Sequence, residues 1–143
     1  MSTPRGIRNH NPGNIRRTGD KWFGMAKDQS ADSEFVVFKK PEFGIRALAK
    51  VLLRYQQAYD IRTVHGLIHR WAPPEENDTG SYARHVAKLI GVDQDDEVDV
   101  TQYAVMRELV EAIITHENGQ QPYADDVIGA GLLLAGVSEP WPI

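Results

Sequence analysis

Beyond residue 40, apolar residues recur at steps of three and four, the repeat of one face of an α-helix. From Pro41 to about Tyr59 the repeat runs Ile45, Leu48, Leu52, Tyr55. Pro41 suits the first turn of such a helix, where its missing amide hydrogen would have no partner anyway. Thr63 reads as the N-cap of a short helix from Val64 to Trp71. The stiff loop Ala72–Asp78 leads into a helix from about Gly80 to Leu89, with Tyr82, Val86 and Leu89 expected to face inward. Tyr103, Met106, Val110, Ile113 and Glu117 mark the stripe of a longer helix, and Gly119 is placed to end it in the left-handed conformation. A last helix is expected over Asp125 to Leu134, and Ser138–Ile143 closes the chain.

The first forty residues read differently. Residues 5–32 are rich in Gly, Asn, Asp and Pro and predict loop and turn, with Asn11-Pro12-Gly13-Asn14 the sharpest turn. Ser33–Phe38 is short and rich in β-formers, which predicts one strand of a small β-ribbon. Gly91–Asp99 is an acidic connector. The sum is an α+β fold, predominantly helical, with residues 1–143 forming a single domain, as a chain of this length supports.

Composition narrows the chemistry. There are no cysteines, so disulfides, thiolate nucleophiles and Cys-type zinc sites are excluded. No apolar leader and no stretch of transmembrane length is visible, which implies synthesis in the cytoplasm without a signal peptide and no membrane insertion. Charge is segregated: residues 1–70 hold 13 Lys and Arg against 6 Asp and Glu, whereas residues 71–143 hold 3 against 14. The basic residues are scattered and no recognition helix or aromatic RNA-binding signature accompanies them, so no nucleic-acid partner is expected. The expectation is that the opposite charges meet when the halves pack, or line opposite walls of a cleft. A monomer is expected.

Glu117 is the candidate that matters most. It lies on the apolar stripe of its helix and in the last turn, so burial and the negative end of the helix dipole both favour its protonated form. A general acid working near neutral pH needs that bias. The plain alternative is a solvated side chain at a frayed helix end.

The residues around it carry a resemblance. The apolar helix ending in Glu117-Asn118-Gly119, followed by Pro122-Tyr123-Ala124, resembles lytic transglycosylases of the lysozyme superfamily, whose helix ends in Glu-Ser-Gly before Asn-Pro-Tyr-Ala. The local match covers sixteen residues, Leu109 to Ala124. Asn9–Arg16, Trp22-Phe23-Gly24 and Phe35–Gly44 resemble the stretch downstream of the catalytic Glu in flagellar-type and autolysin glucosaminidases, and Trp71 to Val86 the later, Tyr-bearing part of that fold. The opening Gly6–Arg16 also resembles the start of small phage virion and lysis-associated proteins. In those families the Glu precedes the Asn-rich turn, and here it follows everything else. Either the domain is circularly permuted, which the proximity of chain ends in compact domains makes inexpensive, or the ancestral Glu is lost and the protein only binds glycan. Permutation is the favoured alternative.

The resemblance implies a lysozyme-like domain that cleaves the β-1,4 bonds of peptidoglycan glycan strands with Glu117 as its acid, and a place of action at the cell wall after holin-type release or within a virion. Since the substrate's own acetamido group or 6-hydroxyl can act as nucleophile, one carboxylate can suffice. Glu75, Glu76 and Asp78 are the candidates for a second, with Asp78 equally suited to cap a helix. Substrate-binding candidates are Tyr82, Asn11, Asn14, Trp71, Asp78 and Gln121, joined by Trp22 and Gln120; for each, a core, turn or solvated role is the competing expectation. His65 and His69 have metal-compatible spacing but no third ligand is indicated, and nucleotide and dinucleotide fingerprints are absent, so neither metal nor cofactor is expected. The rival reading is a non-enzymatic phage structural or glycan-binding protein on the same scaffold.

Overall fold

The computed structural model describes residues 3–140; the closing segment expected at Ser138–Ile143 lies partly outside it, at Trp141–Ile143. Six helices follow in order: α1 (Arg5–Arg8), α2 (Pro41–Tyr59), α3 (Val64–Trp71), α4 (Thr79–Ile90), α5 (Tyr103–Asn118) and α6 (Asp125–Leu134). The fold is predominantly helical. No helix among the described residues is long and apolar enough to cross a membrane.

The helix ends follow local chemistry. Pro41 opens α2, the Thr63 hydroxyl accepts the Gly66 amide at the start of α3, and Gly119 ends α5 at φ 73°. Their apolar faces meet in one core. Ile45, Leu48 and Leu52 of α2, Leu67 and Ile68 of α3, Tyr82 and Val86 of α4, Met106, Val110 and Ile113 of α5, and Ile128 and Leu132 of α6 are all buried. Leu89 departs from expectation and is 48% exposed, because the buried face of α4 passes through Ala83 and Ala87 toward Ile90 instead. The most extensive helix–helix packing is α2 on α6. A Cβ on Gly131 would lie 2.5 Å from the Ile45 side chain, so only glycine lets these two helices approach this far.

Among the described residues the N-terminal segment contains no ribbon. Ser33–Phe38 makes only isolated bridges, Arg16 with Phe35 and Met25 with Phe38. Its backbone changes partner at each step: Val36 donates to Ile15, Phe38 donates to Asn9, and the Val37 carbonyl accepts from Ala26. Side chains take the place of the missing strands. Gln29 donates to the Ala26 and Val37 carbonyls and accepts the Val37 amide. Asn11 donates to the carbonyls of Ile15 and Val36 and accepts the Ile15 amide. Buried backbone groups must find partners, and here polar side chains supply them. Asp32 is the centre of this web, bound by Arg5, Asn9 and the amides of Glu34 and Phe35. Those donors, with Arg5 foremost, hold its carboxyl well below the usual carboxylate range. The four-residue α1, inside the stretch expected to be loop, carries Arg5 to this centre. A small apolar cluster of Val36, Phe38 and Ala47, flanked by Trp22, Met25 and Phe43, seats the segment on α2.

Candidate functional site

The end of α5 meets the Asn-rich turn at the floor of an open cleft. Asn118, buried, donates to the Pro12 carbonyl at 2.8 Å and to the Ile114 carbonyl of its own helix at 3.0 Å. This pins the turn against the last turn of α5. Gly6 lies over the junction, where a Cβ would come within 2.6 Å of the Asn118 side-chain oxygen and 2.9 Å of that of Asn14. Any larger residue would push the two apart. Asn14, at φ 52°, points its amide at Glu117 and donates to Oε1 at 3.0 Å.

The second support of Glu117 comes from α4. The Tyr82 hydroxyl donates to Oε2 at 2.7 Å, and the Trp71 indole donates to that same hydroxyl at 3.2 Å. Burial and the neighbouring Glu117 charge push the Tyr82 hydroxyl well above its ordinary range. It therefore keeps its proton and remains a donor to the carboxylate. Behind it, the His116 ring stacks on Tyr82 with centroids 3.6 Å apart, and His116 Nδ1 lies 2.8 Å from His85 Nδ1. Burial lowers the His116 pKa, against the pull of the Glu117 charge. Glu117, half-buried, is held at both oxygens by donors from two different parts of the chain.

The cleft has a volume of about 420 Å³, within the size range of small-molecule sites. Glu117, Asn14, Trp71, Trp22, Arg16 and Glu76 are among its lining residues. Arg16 stands 3.8 Å from Glu76, the one ion pair among the described residues between the basic and acidic halves, and 3.7 Å from Glu34 of its own half. A carboxylate fixed by two donors and open to a cleft can exchange a proton with a bound ligand. Aromatic side chains beside it can pack on a sugar face.

The structure thus brings together Glu117, Asn14, Tyr82 and Trp71, with Trp22 and Glu76 on the same cleft, and separates Asn11, Asp78 and Gln121 from them. Asn11 is fully buried and its amide is committed to the backbone of Ile15 and Val36, which leaves it nothing to offer a substrate. Asp78 caps α4, accepting the Ser81 amide at 3.2 Å, and this backbone bond lowers its pKa; it does not line the cleft. Gln121 faces a different depression, beside Leu89 and Glu111, and accepts the Tyr123 amide at 2.6 Å. Of the three loop carboxylates only Glu76 reaches the cleft. His65 and His69 stack on each other at 4.0 Å, with His69 Nδ1 2.9 Å from the His65 carbonyl. Among the described residues no group of three or more His, Asp or Glu is arranged to hold a metal ion.

Sequence reasoning did not single out Asn118, Gly6 or Asp20, which also lines the cleft. Asn118 had a signal: it stands where the resembling families have Ser, directly after the acid.

No protein-family profile matches the chain. Over 130 residues it is 38% identical to "Protein P5" of Pseudoalteromonas phage PM2, an alignment covering 89% of this chain and 79% of that protein. The chain belongs to the family of that phage protein.

Proposed function

We propose that this member of the phage Protein P5 family cleaves the β-1,4 bond between N-acetylmuramic acid and N-acetylglucosamine in peptidoglycan glycan strands, with Glu117 as the general acid. The observation that carries this reading is the double clamp on Glu117. One carboxyl group at a cleft floor is bound by Asn14, 103 positions earlier in the chain, and by Tyr82. Such pre-organisation fixes the orientation of the carboxyl group at the cleft, which proton transfer to a leaving oxygen requires.

In this reading Glu117 protonates the glycosidic oxygen as the bond to the anomeric carbon breaks. The oxocarbenium-like transition state is met by the substrate's 6-hydroxyl, or by its acetamido group followed by water, and the proton lost by that hydroxyl or water returns to the Glu117 carboxylate. Once Glu117 has given up its proton, Tyr82 and Asn14 remain as donors to the carboxylate formed, so the charge is stabilised by dipoles already in place. Trp71 fixes the Tyr82 hydroxyl, and the faces of Trp71 and Trp22 border the path of the sugar rings. Glu76 is the carboxylate available on the same cleft for ordering a water.

The circularly permuted, lysozyme-like arrangement belongs to the same proposal. It is supported by the contact of Asn14 and Pro12 with Glu117 and Asn118, which sets the Asn-rich turn directly after the acid in space although it precedes it in the chain. Kinship with a phage protein suits a role at the bacterial wall, in lysis or within a virion.

Digestion of purified sacculi tests the reading. Glu117→Gln keeps the shape of the side chain and an acceptor oxygen for one of the two donors, Asn14 or Tyr82, so the variant is expected to fold as the wild type does, by circular dichroism and thermal melting. Release of soluble muropeptides should fall by at least ~100-fold, the lower range of general-acid contributions. Wild-type release by this variant would remove Glu117 from the role, and sacculus binding without any release by the wild type would favour the glycan-binding rival.

A further inference from the structure

The Glu117 cleft does not end at Trp22. Asp20, Trp22 and Val51 also line a second groove, of about 640 Å³, that continues along the outer face of α2. Lys50, Arg54 and Gln57 form its polar wall, with Leu53 and Ala58 as apolar patches. Lys50 and Arg54 are exposed and one turn apart on α2, and neither is in an ion pair among the described residues. The charge segregation of the chain explains why. Among the described residues Arg16–Glu76 is the one ion pair that joins the basic half to the acidic half. Packing of the halves therefore leaves the α2 cations unneutralised beside the cleft.

We infer that this groove binds the stem peptide carried by the glycan strand, with Lys50 and Arg54 holding its carboxylates and Asp20 its free amine. The inference rests on the glycan-cleaving reading of the neighbouring cleft. A peptidoglycan stem is a short peptide of alternating small alkyl and ionic groups, with free carboxylates and, in its diamino residue, an amine. The groove offers the complement: two cations, one carboxylate supported only by the Thr18 hydroxyl at 2.8 Å, a side-chain amide and small apolar surfaces. Asp20 argues against a nucleic acid in the same place, because a phosphate backbone presents no cation for it and like charges repel. The groove's junction with the Glu117 cleft at Trp22 lets one polymer occupy both, glycan in the first and peptide in the second. Linking the two contacts raises the local concentration of each for the other.

The test measures binding, so that it does not depend on cleavage. The full chain carrying Glu117→Gln is titrated with two pools of glycan strands of equal length. One pool bears intact stem peptides and the other has been stripped by an amidase. The peptide-bearing pool should bind at least ~10-fold more tightly, with a preference that shrinks as salt rises. Adding Lys50→Gln and Arg54→Gln, at exposed positions where folding is not at stake, should abolish that preference. Equal binding of the two pools, or a preference that survives the double substitution, overturns the inference. Tighter binding of duplex DNA than of peptide-bearing strands, lost in the double variant, overturns it in favour of nucleic acid. Failure of the cleavage reading shows separately, as strands of unchanged length when the wild type is incubated with either pool.

Discussion

The two sides of the Glu117 cleft are built by different physics. One side is carried by α3, α4 and α5, where Trp71, Tyr82 and Glu117 stand on helices whose other faces fill the core. The other side is carried by the turn and loop from Asn14 to Trp22, which has no regular ladder of its own. It is held by Asn11, Gln29 and Asp32, each satisfying several backbone groups at once. A helix distributes its stability over many equivalent bonds, whereas a web of side-chain bonds concentrates it in a few residues. Glu117 belongs to the first kind of structure and its Asn14 donor to the second.

The contrast breaks most sharply at Asn11. Asn11→Ala removes three hydrogen bonds and strands the Val36 carbonyl and the Ile15 amide, while the Ile15 carbonyl keeps the Val36 amide, a loss expected to cost roughly 3 kcal/mol. Chemical denaturation should show that loss, with hydrogen exchange rising first around residues 9–38 and the helices protected. Uniform loss of protection would mean that the two sides fold as one unit.

Acid should separate the two sides next. The Asp32 carboxyl is depressed in the folded chain by Arg5 and its other donors, so its stabilisation is complete above the ordinary Asp range near ~3.9 and is lost as pH falls toward the folded value. Asp99, which anchors the entry to α5 by accepting from Gln56 and Thr101, is held at about 2 for the same kind of reason. The thermal midpoint is therefore expected to fall below pH 4. Asp32→Asn should flatten the part of that decline that belongs to the N-terminal segment, read from loop amide signals.

The smallest effects sharpen the boundary of the site. Asp78→Ala removes an N-cap from α4 and should cost about 1 kcal/mol of stability, with sacculus digestion per folded molecule unaltered. Gln121→Ala, remote from the cleft, should leave both stability and digestion within measurement error. Loss of digestion in either variant without loss of fold would move the substrate path toward α4 or the α5–α6 loop.

Five of the six helices were legible from apolar spacing, caps and breakers, because a helix is a local object whose face is written every three or four residues. The expected ribbon was not formed, and its failure has a local cause too: Gln29 and Asn11 occupy backbone groups that a partner strand would have used. The short α1 lacks an apolar repeat, and the contact that ties it to the loop, Arg5 with Asp32, is between residues 27 positions apart.

The candidate site was legible at the acid and much less so around it. Glu117 stood out because its stripe leads from the core to the helix end, and Tyr82 and Trp71 because their segment carries a resemblance, with a place in the core as the competing expectation. Asn11 and Asn14 were indistinguishable in the linear chain, two asparagines at the ends of one turn. In the folded chain one is sealed into the loop and the other touches the acid. That outcome rests on a contact across 103 positions, arranged by Asn118 clasping the Pro12 carbonyl beneath Gly6. Periodicity encodes which side of a helix is dry, since each residue's neighbours along the helix are known in advance. A polar side chain in a loop takes its partner from whichever distant segment the packed core delivers, and no local pattern carries that information.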